Sequence, residues 1–149
     1  MLNEQIKITG AVSIVLLDES GNVKDKRDIK NLVLDTGKEF IAASMLKTTT
    51  NSPVAMTHMA VGTNGTSPAG ANTGLGTEIG RVALSGASSA ANVVTYTATF
   101  PAGTGTGALV EAGIFNAGSA GTALCRTAFP VVNKQANDAM AITWTITVS

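Results

Sequence analysis

Two stretches decide the fold, "NVVTYTATF" (Asn92–Phe100) and "AITWTITVS" (Ala141–Ser149). In the first, Val94, Tyr96, Ala98 and Phe100 alternate with Thr95, Thr97 and Thr99. In the second, Ile142, Trp144, Ile146 and Val148 alternate with Thr143, Thr145 and Thr147. A strand sends successive side chains to opposite faces, so each stretch has an apolar face to bury and a threonine face to leave wet. β-Branched threonine suits the exposed side of such a surface. A half-buried antiparallel sheet then needs a second layer to cover its apolar face.

The rest of the chain supplies candidates for that layer. "ALVEAGIFN" and "TALCRTAFP" flank "AGSAG", which predicts a hairpin with a small-residue turn. "QIKITGAVSIVLLD" (Gln5–Asp18) predicts a long strand, paired through the turn "ESGN" with "NVKDKRDIKNLVLD". "VAMTHMAVG" (Val54–Gly62) alternates, with Val54, Met56, His58 and Ala60 on one face and Ala55, Thr57, Met59 and Val61 on the other. A polar loop from Thr63 to Thr77 follows, then a short strand near "EIGRVAL". One helix signal stands out in "DTGKEFIAASMLK": Thr36 and Glu39 have capping-box spacing, and Phe40, Ile41, Ser44 and Met45 recur at helical spacing. The reading is mainly β: a single domain over 1–149, an antiparallel β-sandwich or barrel of seven to nine strands, and one helix at about 37–47.

Composition limits function. The 149 residues carry ten basic and ten acidic side chains, a net charge of zero, and charged residues are only 13% of the chain. Fourteen of the twenty charges lie at or before Lys47. Binding nucleic acid by counterion release needs clustered Lys and Arg, and the one basic cluster, "KDKRDIK", is interleaved with Asp25 and Asp28. No nucleic-acid partner is expected. The opening "MLNEQIKITG" lacks the apolar core of a signal peptide, and no apolar run is long enough to span a membrane. A surface so poor in charge repels like molecules weakly and suits a protein packed against others.

No catalytic or metal signature stands out. "HMAVGTNGTSPAG" (His58–Gly70) has three glycines, but no lysine follows to neutralise a phosphate. "GTGTGA" misses the last glycine of a dinucleotide loop and runs into a strand. His58 is the sole histidine and has no evident nucleophile beside it, so a structural or interface role is expected. Cys125 is the sole cysteine and reads as a small buried strand residue. "DESGN" lacks the later ligands of a calcium loop and reads as a hairpin turn. Glu111 and Arg126 stand alone on the two arms of the expected hairpin, which predicts a cross-strand structural ion pair. The expectation is no enzyme, no cofactor and no metal.

The blocks "THMAVGTNGTSPAGANTGLGTEIGRVAL", "NVVTYTATFPAGTGTGALVEAGIFNA" and "RTAFPVVNK" resemble, in that order, small virion proteins of tailed bacteriophages. Similar blocks occur near the N-termini of some tail-fibre proteins and in stand-alone proteins encoded among head and tail genes. The resemblance covers about Thr57 to Lys134, half the chain. It implies a non-enzymatic structural part of a virion, assembled in the host cytoplasm and docked as a homo-oligomer on the major capsid protein or on tail subunits. Fibre chains continue into long trimeric shafts, whereas this sequence stops at Ser149. That favours a capsid decoration (cement) protein, with a tail, neck or baseplate/tail-fibre attachment protein as the alternative. A carbohydrate- or host-binding β-module is a further reading, but Trp144 and Tyr96 both fall on expected core faces. The loop residues Thr63, Asn64, Thr66, Ser67, Pro68, Asn72 and Thr73 are the candidate protein–protein contact, expected to be ordered by a neighbouring subunit.

Overall fold

The structure is a computed structural model that describes residues 4–46 and 53–149. Its elements in chain order are β1 (Ile8–Leu17), β2 (Val23–Lys30), β3 (Leu32–Val33), α1 (Asp35–Ser44), β4 (His58–Gly62), β5 (Glu78–Ala83), β6 (Gly86–Ala90), β7 (Val93–Phe100), β8 (Gly107–Phe115), β9 (Ala123–Lys134) and β10 (Ala139–Val148). The two threonine-alternating stretches, β7 and β10, lie side by side with Tyr96 opposite Trp144 and Thr95 opposite Thr145. They belong to a five-stranded sheet A, ordered β2-β1-β10-β7-β6. Sheet B is ordered β3-β9-β8-β4-β5. All pairings are antiparallel and neither sheet closes on itself, so the fold is a β-sandwich and not a barrel.

The core fills the space between the sheets. Sheet A contributes Val12, Ile14, Leu16, Phe100, Ile142, Trp144 and Ile146, and sheet B faces it with Met59, Val61, Leu109, Ile114 and Val132. Trp144 is fully buried, and its Nε1 donates to Asn31 Oδ1 at 3.0 Å. That bond is what lets an indole N–H sit in an apolar interior.

The described chain has ten strands where seven to nine were expected. The segment after Asn22 is two strands, because the chain changes sheets at Asn31: β2 pairs with β1 in sheet A and β3 with β9 in sheet B. β6, "GASSA", has no large apolar residue to signal it and is held by its ladder with β7. The strand expected over Val54–Gly62 begins only at His58. Its partner β8 ends at Phe115, so among the described residues Val54–Met56 has no ladder partner, and the Asn116 side chain donates to Val54 O instead, at 3.2 Å.

The helix runs from Asp35 to Ser44, not from Gly37; its expected end at Lys47 lies outside the described residues. The capping box does not form. The N-cap is Leu34, and Thr36 Oγ1 instead donates to Ala123 O at 2.7 Å. Backbone carbonyls take over the cap's work, with Leu34 N donating to Leu124 O and Asp35 N to Gly70 O. Met45, expected on the apolar face, falls beyond the helix and is exposed. Gly37 is needed because a Cβ there would collide with the carbonyl oxygen of Leu124.

Candidate functional site: a buried ion pair beneath the Thr63–Thr77 loop

The outer face of sheet B is not left wet. Glu111 on β8 and Arg126 on β9 project outward from it, yet each is buried. Gly113 lies opposite Arg126 in the ladder and Glu111 opposite Ala128, so the two side chains meet diagonally across the strands. Arg126 Nε and Nη2 both donate to Glu111 Oε2, at 3.0 and 2.9 Å. The expected cross-strand pair is present, and it does more than join two strands.

The Thr63–Thr77 loop folds back over this pair and is bound by it. Asn64 N and Thr77 N donate to Glu111 Oε1 at 3.1 and 2.8 Å, and Gly76 N donates to Oε2 at 2.8 Å. Arg126 Nη2 donates to Asn64 O, and Nη1 to Asn72 Oδ1. Thr63 N donates to Thr77 O, closing the loop at its neck. Gly62, opposite Glu111, allows this approach: a Cβ there would collide with both Thr77 O and Glu111 Oε1. Leu75 then packs into a second small core of Leu34, Ala60, Phe115 and Ala123.

This corrects one expectation. The loop is ordered by its own chain, not by a neighbour. Asn64 and Asn72 face inward as part of the anchor, and Asn64 Oδ1 also holds Thr66 N at 2.9 Å. Thr63, Thr66, Ser67 and Thr73 are exposed and Pro68 is half-buried, so five of the seven candidate residues remain on the loop's accessible side.

The electrostatics follow from the hydrogen bonds. Burial pushes the Glu111 carboxyl up. The N–H groups of Thr77 and Gly76, the Arg126 guanidinium and the Asn64 N–H outweigh it and hold the group below its ordinary value. Both oxygens already accept several donors, so this carboxylate is an anchor with no proton to give at neutral pH. His58 lies opposite Phe115, four residues along the strand from Gly62 and Glu111, on the order of 13 Å away at the usual rise per residue. Its Nδ1 is 2.8 Å from Thr57 Oγ1. The structure does not bring the histidine and the carboxylate together.

A second arginine repeats the device at the neighbouring turn. Arg81 forks onto Glu78, with Nε to Oε2 at 2.9 Å and Nη2 to Oε1 at 2.6 Å. Its Nη1 donates to Ala117 O and Ala120 O, and its guanidinium lies 4.0 Å from the Phe115 ring centre. Arg81 thus clamps the β8–β9 turn. Sequence reasoning assigned Glu78 and Arg81 no role. Their isolation in uncharged surroundings was the same signal that pointed to Glu111 and Arg126.

Other polar groups also have structural partners. Asp18 Oδ1 accepts from Ser20 N and Asn22 N, so "DESGN" is a hairpin turn with Gly21 at φ 85°. Buried Lys134 donates to Pro101 O at 2.9 Å, a role that its spacing did not reveal. Cys125 is buried, and that burial pushes its thiol up to about 12. Among the described residues no three His, Cys, Asp or Glu side chains converge on a metal position, and no helix is long and apolar enough to cross a membrane. Asn64, Thr66, Asn72, Thr73 and Arg126 line a shallow polar pocket beside the loop, of about 350 Å³. No protein-family model, curated protein or solved structure matches the chain.

Proposed function

We propose that the chain is a non-enzymatic structural protein of a tailed-bacteriophage virion, and that it is a capsid decoration (cement) protein held on the head by subunit contacts. The observation that carries this reading is the distribution of charge over sheet A. β1, β10, β7 and β6 contain no charged residue, whereas β2 has Lys24, Asp25, Lys26, Arg27, Asp28 and Lys30. The outward rows, such as Ala11–Thr145–Thr95–Ser88 and Ser13–Thr143–Thr97–Gly86, therefore form a broad uncharged surface four strands wide.

Such a surface is suited to permanent contact. The buried centres of protein interfaces are depleted in charge, since charged groups are expensive to strip of water. Each 100 Å² or so of apolar area covered contributes about 2.5 kcal/mol before association costs. Repetition around a closed shell multiplies a modest contact. The blocks resembling phage virion proteins span β4 to β9 and include the anchored loop, which offers Thr63, Thr66, Ser67 and Thr73 as a firm, uncharged contact. A stacking glycan site would need an exposed aromatic ring, while Trp144 is buried and Tyr96 packs against the core.

The test is copy number in purified particles of the phage that encodes the chain. Quantified gel bands should show hundreds of copies per particle. A dozen or fewer would move the assignment to the tail, neck or baseplate. Absence of the chain from particles would overturn the virion reading altogether.

A further inference from the structure

Among the described residues the sandwich has four sheet edges, and three are protected against pairing. β2 has six charged residues, β3 is two residues long, and β5 has the Glu78–Arg81 pair. These are the usual devices that keep an edge from recruiting another strand. The fourth edge, β6, is "GASSA" (Gly86–Ala90), with no charge, no proline and only small side chains. It pairs with β7 on one side, and among the described residues none of its backbone groups is paired on the other. Beside it Phe40, Met56, Val94 and Tyr96 line an apolar groove of about 380 Å³ that β6 borders.

We infer that β6 is a dimerisation edge, at which a second copy of this chain adds its own β6 antiparallel across a two-fold axis at Ser88. A two-fold brings each residue close to its own image, so a charged edge such as β2 repels itself and an uncharged one does not. Centred on Ser88, the pairing sets Gly86 opposite Ala90 and Ala87 opposite Ser89, with no large group in the way. The axis is normal to the sheet and keeps the inner sides of both copies on one side. The two apolar grooves then face each other across the joint, and the same association covers both. Sheet A becomes a ten-stranded sheet, and its uncharged outer face continues from one copy to the next. This inference rests on the edge alone and not on the virion reading.

Light scattering of the purified chain tests it. The wild type should have twice the chain mass. Ser88→Lys places two ammonium groups against each other on the outer, solvent-facing side of the edge and should return the single-chain mass with an unchanged circular dichroism spectrum. Ser88→Glu should do the same, and mixing the two variants should restore the dimer. Ser88→Cys should form an intermolecular disulfide on mild oxidation, since directly opposed strand residues lie about 4.5–5.5 Å apart, within disulfide range. Thr143→Lys, on the same face but away from the edge, should leave the dimer intact. A wild-type monomer at the highest soluble concentration overturns the inference. So does a dimer that survives Ser88→Lys, or a Ser88→Cys variant that gives no cross-link.

Discussion

Arg126 reaches Glu111 diagonally across the β8–β9 hairpin with two nitrogens, and the same carboxylate holds the backbone of Asn64, Gly76 and Thr77. One buried pair thus joins a sheet to the loop above it. Glu111→Gln keeps the shape and removes the charge, leaving a buried guanidinium without its counter-ion. It should destabilise the fold by about 3–5 kcal/mol in chemical denaturation. The double replacement by Met at both positions should destabilise less than the two single replacements summed. Even then the three loop amides lose their acceptor. Hydrogen exchange at Asn64, Gly76 and Thr77 should speed up in the double variant while core amides of β10 stay protected. Unchanged exchange at those amides would disprove the anchor.

Acid should weaken this anchor and, with it, the separate Lys24–Asp138 pair. Unfolded, Glu111 titrates near its ordinary 4.5 and Asp138 near 3.8, and both are held lower in the fold, Asp138 chiefly by the Lys24 ammonium 2.7 Å away. As pH falls, protons therefore bind the unfolded chain before the folded one. The stability these groups contribute is complete well above pH 4.5 and is lost as pH falls through that value and on through the lower folded values. Thermal melts between neutral and acidic pH should show this loss, and Glu111→Gln should flatten the acid limb. An acid limb identical in the two proteins would remove Glu111 from the account.

Gly62 is the position where the loop neck comes too close for a side chain. Gly62→Ala must displace Thr77 or Glu111, and displacing Glu111 loosens the whole anchor. The expected loss is roughly 1–3 kcal/mol, read as a lower melting temperature. A variant as stable as the wild type would mean that the neck has slack.

Cys125 lies in the main core beside Asn31, with its thiol pushed up to about 12 by burial. Only the thiolate reacts, so a disulfide reagent near neutral pH should label the native protein no faster than it opens. Denaturant should expose one reactive thiol per chain. Rapid labelling of the folded protein would contradict this burial.

The uncharged face of sheet A gives a separate handle on the proposed docking. Thr145 sits in the middle of it, between Ala11 and Thr95. Thr145→Glu leaves the core side of β10 untouched and should fold with stability within about 1 kcal/mol of wild type. In a particle-binding assay it should bind at least tenfold more weakly, the charge having to be desolvated on contact. Undiminished binding would place the docking surface elsewhere.

Much of this was legible in the order of residues. Period-two alternation marked β7 and β10, because burying one sheet face demands that pattern whatever the partner, and the small-residue turn "AGSAG" marked the β8–β9 hairpin. Lone charges in apolar strands marked Glu111 and Arg126, because a buried charge must have a partner nearby. Other features left no local trace. The helix start passed from Thr36 to Leu34 because carbonyls of Leu124 and Gly70, distant in sequence, became its cap. β6 is a strand only because β7 pairs with it, and the β2–β3 break exists only because the chain changes sheets at Asn31. The loop over sheet B read as a polar segment waiting for a neighbour. Its order comes from one carboxylate whose hydrogen bonds span up to 47 positions in sequence. Local pattern determined where β7 and β10 run and which of their faces they bury, because alternation depends only on nearest-neighbour geometry. Which strands became edges, and which loop became rigid, was decided only by the tertiary structure, because pairing and anchoring join residues that the chain keeps far apart.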